Sequence, residues 1–230
     1  MHKQSLLLAS AGVLAVSTVA SAQVLNEIRI SSPGGSDDTS NFVEIAGTPG
    51  TDLSSLTLLA ISAEFAPGQV DFAVPLTGAI PADGFWLLSS GDDDAVADQI
   101  GGPDFFGSPV SFIITDNFEG LAGDDLDADD DGVLDDPSVI GNILDAVSLT
   151  DGDATTDIFF GGGPVVGPDG TFPAALVLRT PDITGDFTFV PGAFGDDSLD
   201  TPGVSNVIPE PASIALLGVA GLGLLRRRSA

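Results

Sequence analysis

The sequence predicts an all-β protein in which two sheets pack as a β-sandwich around one core. Three observations carry this: short runs in which apolar and polar residues alternate, turn clusters between them, and no amphipathic stretch of a dozen residues between positions 23 and 206. Composition agrees, since 29 Gly, 16 Pro, no Tyr and very little Lys favour short strands and many turns over helices. No repeat with a period of about 20–50 residues is evident, which disfavours a solenoid or propeller.

The elements follow in order. In 24–30, Val24, Ile28 and Ile30 share one face and Glu27 and Arg29 the other, so one face is predicted buried and the other wet. Segment 42–46 repeats the pattern with Val43 and Ile45 opposite Glu44. Further strands are predicted over 56–61, 70–74, 85–89, 110–115, 143–149, 176–179 and 187–190, each with β-branched or aromatic content. Turn clusters such as 32–36 and 48–51 separate them. Strands this short at this spacing fit two sheets covering one core.

Both ends differ from this body. At the start, His2 and Lys3 precede a mostly apolar run over 6–19, and Ala20-Ser21-Ala22 fits the small-x-small cleavage pattern of an export signal. Residues 1–22 are therefore expected to be removed by signal peptidase, leaving Gln23 first; retention as a membrane anchor is the alternative. At the other end, Pro209-Glu210-Pro211 is followed by an apolar run over 212–225 and then Arg226-Arg227-Arg228. As a helix this run is roughly 21 Å long, short of the ~20 residues of a comfortable span, but flanking residues and snorkelling arginines extend it. The arginines are expected on the cytoplasmic side, and Gly218, Gly221 and Gly223 allow close approach. A plain tail anchor is one reading. The other is a resemblance: motif, helix and arginine cluster, in this order, look like a PEP-CTERM sorting tail over 207–230. That resemblance implies a bacterial exosortase-type enzyme that cleaves near the motif and delivers the protein to the cell surface or matrix.

Charge and sulphur narrow the partners. Of 34 acidic residues only Glu210 lies outside 23–208, so the body opposes the rest to Arg29 and Arg179 alone, a net charge of −31. Phosphate backbones need Lys and Arg to displace counterions, which excludes nucleic acid and makes anionic lipid a poor partner. Cysteine is absent, so the body has neither disulfides nor thiolate metal sites.

A second resemblance rests on the order of several segments. Leu25-Asn26-Glu27-Ile28, Asn41-Phe42-Val43-Glu44-Ile45, Asp52-Leu53-Ser54-Ser55-Leu56-Thr57-Leu58 and Ile80-Pro81-Ala82-Asp83-Gly84-Phe85-Trp86-Leu87-Leu88 together resemble a bacterial lamin-tail domain. The closing Asp200-Thr201-Pro202-Gly203-Val204-Ser205-Asn206 fits the same family, which implies an immunoglobulin-like sandwich over 23–206. The spacing departs from the family around 64–74, and a long insertion follows Ser90.

That insertion holds the most pointed chemistry, in the Asp-rich loop 123–136. Asp127-Ala128-Asp129-Asp130-Asp131-Gly132-Val133-Leu134-Asp135 sets carboxylates at relative positions 1, 3, 5 and 9 with glycine at 6. Alternate residues of a curled loop point inward, glycine permits the sharp turn, and the Val133 carbonyl at position 7 adds an oxygen. The expected ligand is Ca2+, held structurally by Asp127, Asp129, Asp131, Val133 and Asp135. Position 12 is Ser138 rather than glutamate, and no helical flanks are evident, so the loop resembles the isolated repeats of thrombospondin type 3 or dockerin-like proteins more than an EF-hand. Asp124, Asp125 and Asp136 surround it. A plain solvated acidic loop is the competing reading. Asp92-Asp93-Asp94 and Asp196-Asp197 lack the alternation, and Gly161-Gly162-Gly163 has no phosphate-binding lysine.

Catalytic groups are few. The body has no His, Cys, Lys or Tyr, which removes the common bases and nucleophiles. Glu27, Glu44, Glu64 and Glu119 are left for a glycosidase-like pair, and the first two are expected on exposed strand faces. Three functions are therefore carried forward. First is a non-enzymatic structural or adhesive protein of the envelope or matrix. Second is a module binding protein or envelope or matrix polysaccharide, with Trp86, Phe105, Phe106 and Phe118 as stacking candidates if exposed, although the apolar neighbours of Trp86 favour a core position. Third is a carboxylate-dependent hydrolase.

Overall fold

Each of the nine predicted runs is a strand in the computed structural model, which describes residues 23–30, 41–91, 97–102, 107–194 and 196–206. The expected export signal and sorting tail, with Pro209, Glu210, Pro211 and Arg226 to Arg228, lie outside the described residues. So do Phe105, Phe106 and the acidic run at 92–94. The strands are β1 (Val24–Arg29), β2 (Phe42–Ala46), β3 (Leu56–Ser62), β4 (Val70–Pro75), β5 (Phe85–Ser89), β6 (Gln99–Ile100), β7 (Val110–Asp116), β8 (Asn142–Leu149), β9 (Val165–Val166), β10 (Leu176–Thr180) and β11 (Asp186–Phe189). The two unpredicted strands, β6 and β9, are two residues long, too short for alternation to register. Helix is confined, among the described residues, to the 3-10 turns Pro137–Val139 and Asp197–Leu199.

Two sheets form, in the orders β11-β10-β1-β2-β5-β6 and β4-β3-β7-β8-β9. Neighbours are antiparallel except at the two short edge strands, where β6 runs parallel to β5 and β9 to β8. Between the sheets, Leu25, Ile28, Val43, Ile45, Trp86, Leu88 and Val177 meet Leu58, Ala60, Phe112, Ile114, Val147 and Leu149. Each of the aliphatic side chains larger than alanine stabilises the fold by about 1.5–3 kcal/mol on burial. Trp86 is at the centre, 1% exposed, its indole N–H donating to the Thr77 carbonyl.

The register of β1 corrects the predicted facing. Leu25 pairs with Ile45 but Glu27 pairs with Glu44, so Asn26 is the extra residue of a β-bulge. The bulge resets the alternation, and Leu25 rather than Val24 joins Ile28 and Ile30 in the inter-sheet core.

A larger correction concerns the polar faces of β1 and β2, expected to be wet; the outer face of the other sheet is covered as well. Leu59, Ile61, Val70, Ile113 and Ala146 form a second apolar cluster on the outside of the β4-β3-β7-β8-β9 sheet, under Leu126, Ile140 and Phe160 from the long connections. On the outside of the other sheet, Glu27 and Glu44 are both 0% exposed and Arg29 is 1% exposed. A strap, residues 196–206, covers them. Arg29 pairs with Asp200 at 2.5 Å and donates to the Ala193 and Asp196 carbonyls. Glu27 Oε1 accepts the Thr201 N–H at 2.9 Å, and Glu44 Oε2 accepts the Gly203 N–H at 2.7 Å. The polar face is therefore buried against a polar partner, as buried polar groups require.

Arg179 ties the two sheets together. It donates to Asp145 on β8 at 2.8 Å and to the Leu25 carbonyl at 2.8 Å, and it sits 4.1 Å over the Phe187 ring. Asp145 also accepts the Leu25 N–H. Both arginines of the body thus work inside the fold.

Candidate metal centre

The Asp-rich loop curls around its first carboxylate. Asp127 is 0% exposed, and its two oxygens accept the N–H groups of Asp131 at 3.2 Å and Gly132 at 2.8 Å. The Asp127 carbonyl accepts the Asp130 N–H, and Asp131 accepts the Val133 N–H at 2.8 Å. Asp130 and Gly132 hold positive φ of 55° and 83°, conformations that asparagine-like side chains tolerate and glycine supplies freely. These turns bring carboxylate oxygens of Asp127, Asp129 and Asp131 within 4.8 Å of one another.

Positions 1, 3 and 5 of the predicted ligand set therefore converge. Asp135, at position 9, stands outside that group because its Oδ2 accepts the Ala128 N–H and its own N–H donates to the Leu126 carbonyl. In calcium loops this position commonly coordinates through water. Val133 is an exposed side chain that could contribute only its carbonyl. Asp136 serves elsewhere, accepting from Ser138 as N-cap of the 3-10 turn.

Electrostatics make the convergence unfavourable by itself. Like charge from Asp131, then desolvation, Asp135 and Asp127, hold the Asp129 carboxyl above the usual carboxylate range. A divalent cation would reverse the sign of that interaction. The donor set is oxygen only, which suits calcium and not a soft metal.

The loop rests on the edge of β4. Val70 N–H donates to Asp124 O and Gly123 N–H to Val70 O, both at 2.8 Å, and Leu126 N–H donates to Gly68 O at 3.0 Å. Leu126 is the apolar plug of the outer cluster, one residue before Asp127. Gly68 has φ +85°, and a Cβ there would lie 2.8 Å from Asp127 Cβ and 2.9 Å from Asp127 N. Gly68→Ala is therefore expected to destabilise the body by ~1–3 kcal/mol and to weaken calcium binding, read from the urea midpoint and a calcium titration of the same sample.

The remaining site candidates are dispersed. Trp86 is core, and Phe118 is half-buried against the outer apolar cluster. Glu27 and Glu44 are opposed across β1 and β2, but all four oxygens are engaged by Thr201, Gly203 and Asn26, and the strap seals them. The sequence reading missed this polar cluster, in which buried Asn26, Glu27, Glu44 and Asn206 meet half-buried Asp182 and Thr201. Its one local signal is Asn26 between an apolar and an acidic strand residue.

Among known proteins, the model of the PEP-CTERM protein-sorting motif matches residues 207–229. No curated protein and no solved structure matches the chain. Among the described residues no helix is long and apolar enough to cross a membrane.

Proposed function

We propose that this is an exported, non-enzymatic structural β-sandwich, directed to the cell envelope or matrix by exosortase-type processing of its tail and stiffened by calcium at the Asp127 loop. The observation that carries the reading is the sorting motif at 207–229. Residues 1–22 act as a removable export signal, and 212–225 as a membrane helix that holds the chain until it is processed. The order of the segments from Leu25 to Asn206 supports a lamin-tail-like identity for the body.

Several features favour a structural role over catalysis or sugar binding. Both bases of the body are engaged in ion pairs, Arg29 buried and Arg179 half-buried, and the one opposed glutamate pair is sealed. Trp86, the largest aromatic, is consumed by the core. The solvated surface that remains is strongly anionic, which keeps a secreted chain soluble and monomeric and draws divalent cations to the Asp127 loop.

The test is the mature C-terminus, determined by mass spectrometry in surface and membrane fractions of the native host. Truncation near Pro211 in the surface fraction is expected, and Pro209→Ala with Glu210→Ala should retain the full tail in the membrane fraction. Arg228 intact in every fraction of the parent would sink the sorting reading and leave a plain anchor.

A further inference from the structure

The strap that seals Glu27 and Glu44 is also the chain that leads into the sorting motif. Its last described residue, Asn206, donates from Nδ2 to the Asn26 carbonyl at 3.3 Å and the Arg179 carbonyl at 3.0 Å, while its N–H donates to Asp182 at 3.1 Å. Ser205 bonds the other Asp182 oxygen. The matched motif begins at the next residue. Pro209 of the motif follows Asn206 by three positions in the sequence.

The hydrogen-bond inventory of the strap requires an extra proton. Thr201 Oγ1 lies 2.5 Å from Glu27 Oε2 and 2.5 Å from Asn206 Oδ1. The Asn206 amide is oriented by its two Nδ2 bonds, so Oδ1 can only accept. One hydroxyl hydrogen cannot serve two acceptors at that distance. A proton on Glu27 resolves the arrangement as a relay, with Glu27 Oε2–H donating to Thr201 Oγ1 and Thr201 O–H donating to Asn206 Oδ1. Glu44 has no comparable outlet, since its two oxygens accept from Asn26 and Gly203.

We propose that the strap is a proton-held latch: it closes on the sheet while Glu27 is protonated, and loss of that proton releases residues 196–206 and lengthens the tether in front of the sorting motif. The released strap could span at most about 35 Å at ~3.3 Å per residue. The latch rests on the sorting reading only for what the tether delivers.

The surroundings oppose a charge on Glu27. Glu44 faces it from β2 and Asp182 from the turn after β10, while Arg29 on β1, the nearest cation, is already paired with Asp200 of the strap. Arg179 is likewise paired, with Asp145. Burial pushes both glutamates up, Glu44 to about 8. A carboxyl raised in the closed form stabilises that form fully below its free value of about 4.3. Above it the closing equilibrium falls about tenfold per pH unit per proton, until the closed-form value is passed.

Hydrogen exchange on the full chain in detergent tests this, comparing a strap peptide over 196–206 with a core peptide over 110–116 from pH 5 to 8, after correction for intrinsic rates. Strap protection is expected to fall as pH rises, relative to the core, by up to tenfold per pH unit for each proton lost. Glu27→Gln mimics the protonated carboxyl, with Oε1 accepting the Thr201 N–H and Nε2 donating to Thr201 Oγ1, and should reduce that slope by one proton. Thr201→Val should lower strap protection at pH 5 and flatten its slope, and the core peptide reports whether either variant folds. A flat profile in the parent, or equal slopes in all three proteins, would overturn the latch. A switching strap on a chain whose tail is never cleaved would retain the latch and remove the sorting reading alone.

Discussion

Replacing Arg29 by alanine is expected to destabilise the body by ~3–5 kcal/mol, the usual result of breaking one side of a buried ion pair. Arg29 and Asp200 are 1% and 5% exposed and 2.5 Å apart, and the guanidinium also bonds the carbonyls of Ala193, before the strap, and Asp196, its first residue. Its removal takes the guanidinium away from the buried Asp200 carboxylate, on a face that already holds Glu27, Glu44 and Asp182. A loss of that size corresponds to a fall in Tm of about 8–15 °C for a body of this length. Arg29→Lys should rescue little, because an ammonium cannot fork across the Asp200 carboxylate and the Ala193 and Asp196 carbonyls. Arg29→Met with Asp200→Leu should recover most of the loss, since apolar replacement of both partners removes the desolvation penalty. Urea denaturation of the three variants checks the order. A single alanine variant within about 1 kcal/mol of the parent would mean that the pair is screened like a surface bridge and that the strap is held by other contacts.

That face was also where the sequence was least legible, for a physical reason. Strand alternation is a local signal, and 24–30 and 42–46 carry it clearly enough to locate β1 and β2. Whether a polar strand face meets water depends on what the rest of the chain lays over it. The cover for Glu27 is Thr201, 174 positions away. The bulge at Asn26 adds a second failure, because one inserted residue reverses the facing of everything before it. On the other sheet a hint was present: Leu58-Leu59-Ala60-Ile61 and Phe112-Ile113-Ile114 are continuous apolar runs, the signature of strands buried on both faces. The Asp-rich loop was legible because its spacing and most of its internal bonds lie within residues 125–135. Its support on Gly68 and the β4 edge was not, since nothing near Asp127 in sequence points to them.

Calcium should then act on stability through the loop and nowhere else. At a hundredfold excess over Kd, linkage stabilises the folded state by about 2.7 kcal/mol, a rise in Tm of about 5–10 °C for a body of this length. The three carboxylates also predict that the variants cross over. Asp129 is exposed and repelled by Asp131, Asp135 and Asp127, so Asp129→Asn should leave Tm in chelator unchanged or higher while removing the calcium increment. Asp127→Ala should behave differently. That carboxylate holds the Asp131 and Gly132 N–H groups from a buried position, and its loss should lower stability even without metal, by ~1.5–3 kcal/mol for bonds to a charged acceptor. A double variant, Asp129→Ala with Asp131→Ala, should show no response to calcium. Sodium chloride at matched ionic strength separates the two readings of the loop, because a plain acidic surface is relieved by any screening salt whereas a built site distinguishes calcium from sodium. Equal shifts from both salts, or a calcium response that survives the double variant, would reduce the loop to solvated charge and leave its curled backbone to be explained by the Asp127 hydrogen bonds alone.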